Sequence, residues 1–164
     1  MRCIKGRLDS LLITHTVMKL LDFHVETVHT LFVNLSLHYL QAQDGTTHTE
    51  LYRYSDMLII PTNTPLFVRW EKDKNCLQVQ LSATVLKRVA EETLGKDSNR
   101  LRLVPTFQSR QQQLKVISIL LLAEAQQQQA SSRLYLDSLA NVLAVLLLRN
   151  FRKVVGVTSK ACRS

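Results

Sequence analysis

Glycine is scarce in this 164-residue chain, with only Gly6, Gly45, Gly95 and Gly156. Loops that cradle phosphates need glycine where backbone must approach the ligand closely, and neither GxGxxG nor GxxxxGK occurs. Nucleotide-binding enzymes of those kinds are excluded. Cysteine is equally sparse: Cys3, Cys76 and Cys162 are odd in number, far apart and in no CxxC pair. Such spacing indicates neither a disulfide framework nor a thiolate zinc site, so reduced thiols are expected. Long apolar runs are missing too. The most apolar stretch, VLAVLLL at 142–148, falls well short of the roughly 20 residues that span a bilayer. The opening MRCIKGRLDS has no apolar stretch after its charges and no small-residue cleavage site. A soluble, cytoplasmic protein with no membrane contact is the expectation. GxSxG, SxxK and recognisable catalytic cysteine settings are also absent, so the chain is not read as an enzyme and no catalytic residue is assigned.

What is present begins with charge. The formal net charge is +8, but residues 1–9 supply +2, residues 149–164 supply +5, and the body between them only +1. A near-neutral body with basic ends argues against a folded DNA-binding surface, although a basic tail adds salt-sensitive attraction to phosphates. Hydrophobic residues make up 46% of the chain, enough for one domain with its own core.

Hydrophobic spacing then divides the chain into an antiparallel β part and a helical part, an α+β organisation. Residues 1–22 carry no defined pattern. FHVETVHTLFVNLSL, 23–37, predicts a half-buried strand with Leu31, Val33, Leu35 and Leu37 on one side and Phe32, Asn34 and Ser36 on the other. Asp44-Gly45 predicts a hairpin into a strand at Thr49 to Tyr54. In YSDMLIIPTNTPLFVRW, 54–70, Met57 to Ile60 and Leu66 to Trp70 read as strands joined by hairpin chemistry at Pro61, Asn63, Thr64 and Pro65. CLQVQL, 76–81, alternates strictly, Leu77, Val79 and Leu81 against Cys76, Gln78 and Gln80. The β part is therefore placed at 23–82.

At Ser82 the period changes to that of a helix, with Ser82 as amino-terminal cap and Gly95 closing the far end. A linker, KDSNRLRLVPTFQSR, follows. Two helices are predicted beyond it, Gln111 to Gln128 with a stripe of Leu114, Ile117, Leu121 and Ala125, and Ser132 to Arg149 with Leu136, Leu139, Leu143 and Leu147. Val142, Ala144, Val145 and Leu146 make the last helix apolar nearly all round, and such a helix is covered on two sides. One side suits its own β part and the other a second copy of the chain, which makes Leu136, Leu139, Leu143 and Leu147 candidate dimerisation residues. Residues 83–151 form the helical segment, and 152–164 a basic tail. QQQQ at 126–129 reads as a solvated helix end.

The histidines His15, His24, His29, His38 and His48 include no HxH, HxxxH or HExxH, and His48 with Glu50 lacks a third ligand; no metal and no cofactor is expected. Arg69, Trp70 and Glu71 form the one concentrated polar-aromatic cluster. Arg69 and Trp70 point to opposite sides of a strand, so one of them faces inward, where it could stack on or pair with a small ligand. The plainer alternative makes Trp70 core and Arg69 rim.

Assembled, the run 54–95, then LRLVPTFQSRQQQLKVISILLLAEA and LYLDSLANVLAVLLLRNF, with VHTLFVNL at 28–35, resembles the amino-terminal sensor and dimerisation half of AraC-type transcriptional regulators. The resemblance covers roughly residues 23–151. It implies a cupin-like antiparallel β-barrel holding a small-molecule effector, incomplete at its front here, followed by helices that pair subunits as a homodimer or a mixed dimer with a full-length homologue. Two departures stand out. Ser55 occupies a turn position where glycine is common in the family, and only 13 residues follow Phe151, too few for the helix-turn-helix half. Direct sequence-specific DNA contact is therefore not expected. A truncated gene product, a fragment of a split gene and a free-standing sensor remain open, and the shortened front and unrelated tail favour truncation. A cupin-type binding protein or enzyme is the competing reading.

Overall fold

The computed structural model describes residues 4–7, 11–18, 21–24, 28–35, 38–43, 47–64, 66–70, 74–127 and 132–154. Its architecture is α+β: antiparallel β-structure, not joined into a closed barrel among the described residues, backed by three helices.

The strands are β1 (Ile4–Arg7), β2 (Leu11–Met18), β3 (Leu21–His24), β4 (Val28–Asn34), β5 (His38–Gln43), β6 (Thr47–Tyr52), β7 (Met57–Ile60), β8 (Leu66–Trp70) and β9 (Lys74–Ser82), followed by α1 (Ala83–Leu94). A 3-10 turn (Gly95–Arg100) leads to β10 (Leu101–Leu103) and β11 (Thr106–Ser109), then α2 (Gln112–Gln126), α3 (Arg133–Phe151) and β12 (Arg152–Val154). A six-stranded sheet has the order β1-β2-β9-β4-β7-β11, a four-stranded sheet the order β3-β8-β5-β6, and β10 pairs with β12.

The amino-terminal stretch expected to be undefined supplies β1 and β2. β2 pairs with β9 residue by residue, from Leu11 opposite Leu81 to Met18 opposite Lys74, so the front of the β part reaches back into residues 1–22. The predicted strand 23–37 divides between two sheets, and its later part, β4, is buried on both faces, Phe32 and Asn34 as fully as Leu31 and Val33. Alternation records chemistry rather than burial here, because β4 lies between β9 and β7 in the sheet interior. β7 and β8 form as expected but not as a hairpin. Pro61, unable to donate a ladder bond, ends β7, and the connector carries the chain into the other sheet. The Asp44-Gly45 turn itself lies outside the described residues; the strands it joins are paired, with Gln43 opposite Thr47. The expected linker is partly strand, since β11 extends the six-stranded sheet beside β7. Its tail counterpart, β12, pairs with β10.

The ends of α1 follow their caps. Ser82 Oγ accepts the Thr84 N–H at 3.2 Å, and Gly95 closes α1 with φ +60°, donating to the Glu91 carbonyl. All three helices cover one face of the six-stranded sheet. Leu11, Ile13, Leu31, Val33, Met57, Ile59, Leu77, Val79 and Leu81 from the strands meet Val85, Leu86, Leu114, Leu121, Leu139, Leu143 and Leu147 from the helices in one core. By length and composition α3 could cross a membrane; its apolarity is accounted for by the core, where eight of its residues are buried.

Candidate functional site

Strand parity gives the six-stranded sheet two unlike faces. Opposite the helix side lie Thr30, Phe32 and Asn34 of β4, Leu58 and Ile60 of β7, and Cys76, Gln78 and Gln80 of β9. Register sets them side by side: Thr30 between Ile60 and Gln80, Phe32 between Leu58 and Gln78, Asn34 beside Cys76. This face mixes an aromatic ring, a buried hydroxyl, a buried thiol and two half-buried amides. Its chemistry is neutral hydrogen bonding with apolar contact, suited to orienting a small molecule rather than to proton transfer.

One rim of the β-structure is closed by side chains. Asp56, 3% exposed, accepts from Arg110 Nε at 2.9 Å and Nη2 at 3.2 Å, from Gln108 Nε2 at 3.2 Å and from the Arg53 N–H at 3.0 Å. Burial pushes the Asp56 carboxyl up, but those three sets of bonds and the Arg110 charge outweigh it and hold the group below its ordinary 3.8. Gln108 also donates its N–H to Tyr52 Oη at 2.8 Å and its side-chain amide to the Leu51 carbonyl at 2.7 Å. β11 is thereby tied to β6 of the other sheet. The turn before Asp56 requires a left-handed residue, and Ser55 takes φ +68°. That is the turn position where the family resemblance would favour glycine.

On the helix side, a cleft of about 500 Å³ opens between the connector after β7, α1, the 3-10 turn and β10. His29 lies at its wall. Burial pushes the imidazole down from 6.5 to about 4, so the ring is neutral at pH 7. Its Nδ1 accepts the Thr62 N–H at 3.2 Å, which leaves the ring proton on Nε2.

The predicted ligand pair is placed only in part. Arg69 and Trp70 are on β8, opposite Gln41 and Leu40 of β5, and their side chains lie outside the described residues, as do those of His48 and Glu50. Among the described residues no group of three or more His, Cys, Asp or Glu is placed to hold a metal. The dimerisation stripe requires correction. Leu136, Leu139, Leu143 and Leu147 are buried in the protomer's own core, because that stripe is the side of α3 turned to the sheet and α1. On the helices, the large apolar side chains left in solvent among the described residues are Leu134, Tyr135 and Val142 on α3 and Val116, Ile119 and Leu120 on α2; Tyr54, Val104 and Val154 are exposed elsewhere. Periodicity could not select between two apolar sides of one helix. The rim cluster was missed as well; its only local signal was the turn-forming pair Ser55-Asp56.

No protein-family model matches the chain, and no curated protein matches it. Among solved structures, it is similar to ToxT from Vibrio cholerae O395 bound to (E)-4-(8-methylnaphthalen-1-yl)but-3-enoic acid, at 11% identity and a TM-score of 0.54, over 87% of this chain and 58% of that one. It is also similar to a cupin-2 domain containing protein from Shewanella frigidimarina, at 11% identity and a TM-score of 0.41, over 49% of this chain and 78% of that one. An RmlC-like cupin protein with a double-stranded β-helix fold, from Methanocaldococcus jannaschii, gives 14% identity and a TM-score of 0.40, over 49% and 79%.

Proposed function

We propose that the chain is the effector-sensing and dimerisation module of an AraC-like bacterial transcriptional regulator, working in the cytoplasm. One observation carries the reading. Val116, Ile119, Leu120, Leu134, Tyr135 and Val142 are between 38% and 77% exposed on two packed helices whose other sides are already committed to the core. Apolar side chains gathered on one pair of helices favour a subunit contact. ToxT, whose fold this chain shares, is an AraC-family regulator, and its bound organic acid supports an effector for this module also.

In this reading the effector rests on the Phe32, Gln78 and Gln80 face, with Arg69 and Trp70 of the second sheet as its further contacts. Pairing with a second copy gives a homodimer. Pairing with a full-length homologue gives a mixed dimer through the same helical face.

Sedimentation of the purified chain, beside an Ile119→Lys/Val142→Glu variant, tests the proposal. The wild type is expected to be dimeric and the variant monomeric with an unchanged circular dichroism spectrum. A monomeric wild type that binds no full-length relative overturns it.

A further inference from the structure

Apart from the sensor face, we propose that the cleft beneath α1 is a second site, for a small organic anion whose carboxylate or phosphate head carries an apolar body. Its charge is one-sided. Lys87 and Arg102 line it, and among the described residues no aspartate or glutamate does. Arg88 is paired with Glu92 and Arg133 with Asp137; among the described residues Lys87 and Arg102 have no carboxylate partner. Arg102 is also held in place, since its Nη1 donates to the Asn99 carbonyl at 3.1 Å and the Leu101 carbonyl at 2.8 Å. One nitrogen is spent on fixing the guanidinium, and its remaining N–H groups are free to grip an anion.

A further feature adds to the positive potential without a full charge. Ala83, the first residue of α1, lines the cleft, and the first turn of α1 carries no acid to offset the partial positive charge of a helix amino end. Neutral polar residues line the same space, Thr62, Thr64, Ser98 and His29. A bare anion would leave the rest of the wall unused. Leu86, Ala90, Leu101, Leu103 and Leu148 make that wall apolar, and at about 500 Å³ the space falls within the roughly 300–1,000 Å³ of small-molecule sites. Leu86 and Leu148 belong to α1 and α3, which pack on one another, so an occupant would press on the helical layer that carries the exposed apolar face.

The test is calorimetric titration of the full chain with octanoate, phenyl phosphate and inorganic phosphate, repeated on Lys87→Gln/Arg102→Gln. Both side chains are exposed, so the variant is expected to keep its circular dichroism spectrum and melting temperature. Binding of octanoate or phenyl phosphate, weakened at least about tenfold in the variant and by added salt, supports the site, and the tighter of the two identifies the head group. Inorganic phosphate is expected to bind at least about tenfold more weakly than phenyl phosphate, for want of an apolar body. No binding of either organic anion at about 10 mM, or binding undiminished in the variant, overturns the proposal. Dimer state is read separately by sedimentation, so failure here leaves the sensor reading standing.

Discussion

The helix-covered face of the six-stranded sheet and the rim around Asp56 hold the same molecule together by opposite means. The first is a continuous aliphatic core in which each strand side chain meets several partners. The second is a handful of directed bonds that converge on one carboxylate. Aliphatic burial is strong because it is distributed; the rim is specific because each donor has one place to go. The rim also holds two of the three described non-glycine residues with left-handed backbone, Ser55 at φ +68° and Gln108 at φ +54°.

Substitutions can break or sharpen that contrast. The largest loss is expected in the core, where Leu143→Ala removes a side chain 1% exposed and costs about 3–4 kcal/mol in urea unfolding. A loss below that of the rim substitutions would deny the contrast. Next comes the polar edge of the helix side. With its pKa lowered from 6.5 to about 4, His29 stays neutral in the fold while the unfolded chain takes up a proton, so its contribution is complete above pH 6.5 and lost as pH falls towards 4. The loss is on the order of 2–3 kcal/mol, and His29→Asn, which keeps an acceptor near Nδ1, should flatten that limb of the stability curve.

At the rim, Asp56→Asn is expected to cost about 2 kcal/mol at pH 7, the lower end for a buried pair because Arg110 is 57% exposed and can be rehydrated. Its folded pKa lies below 3.8, so the wild-type carboxylate stabilises above that value and ceases to as pH falls through the lowered one. Unfolding curves for the variant should lose this acid step. The smallest effect has the opposite sign. Ser55→Gly relieves a left-handed backbone and should raise stability by about 0.5–1 kcal/mol, seen as a higher melting temperature.

Much of the fold was legible where local chemistry decides local structure. Ser82 and Gly95 mark both ends of α1 because a cap satisfies backbone groups within one turn. Strict alternation in 76–81 identifies β9 and its two faces. Legibility stopped where a partner had to be chosen. β7 and β8 were recognisable as strands, yet strand character does not say which sheet a strand joins. β10 and β11 are too short to show a period, and the amino-terminal strands become ordered elements through β9, far along the chain. The candidate site shows the same boundary. Arg69 and Trp70 stood out by residue type, whereas His29, Lys87 and Arg102 stand far apart in sequence and meet only through the fold.

The sequence by itself determined the division into β and helical parts, the caps of α1, and a last helix apolar on more than one side, because these depend on residues a few positions apart. Tertiary structure decided that Leu136, Leu139, Leu143 and Leu147 turn inward while Leu134, Tyr135 and Val142 stay in solvent, and that Asp56 finds Arg110. Those outcomes depend on what lies across the gap, and spacing along a chain carries no record of that.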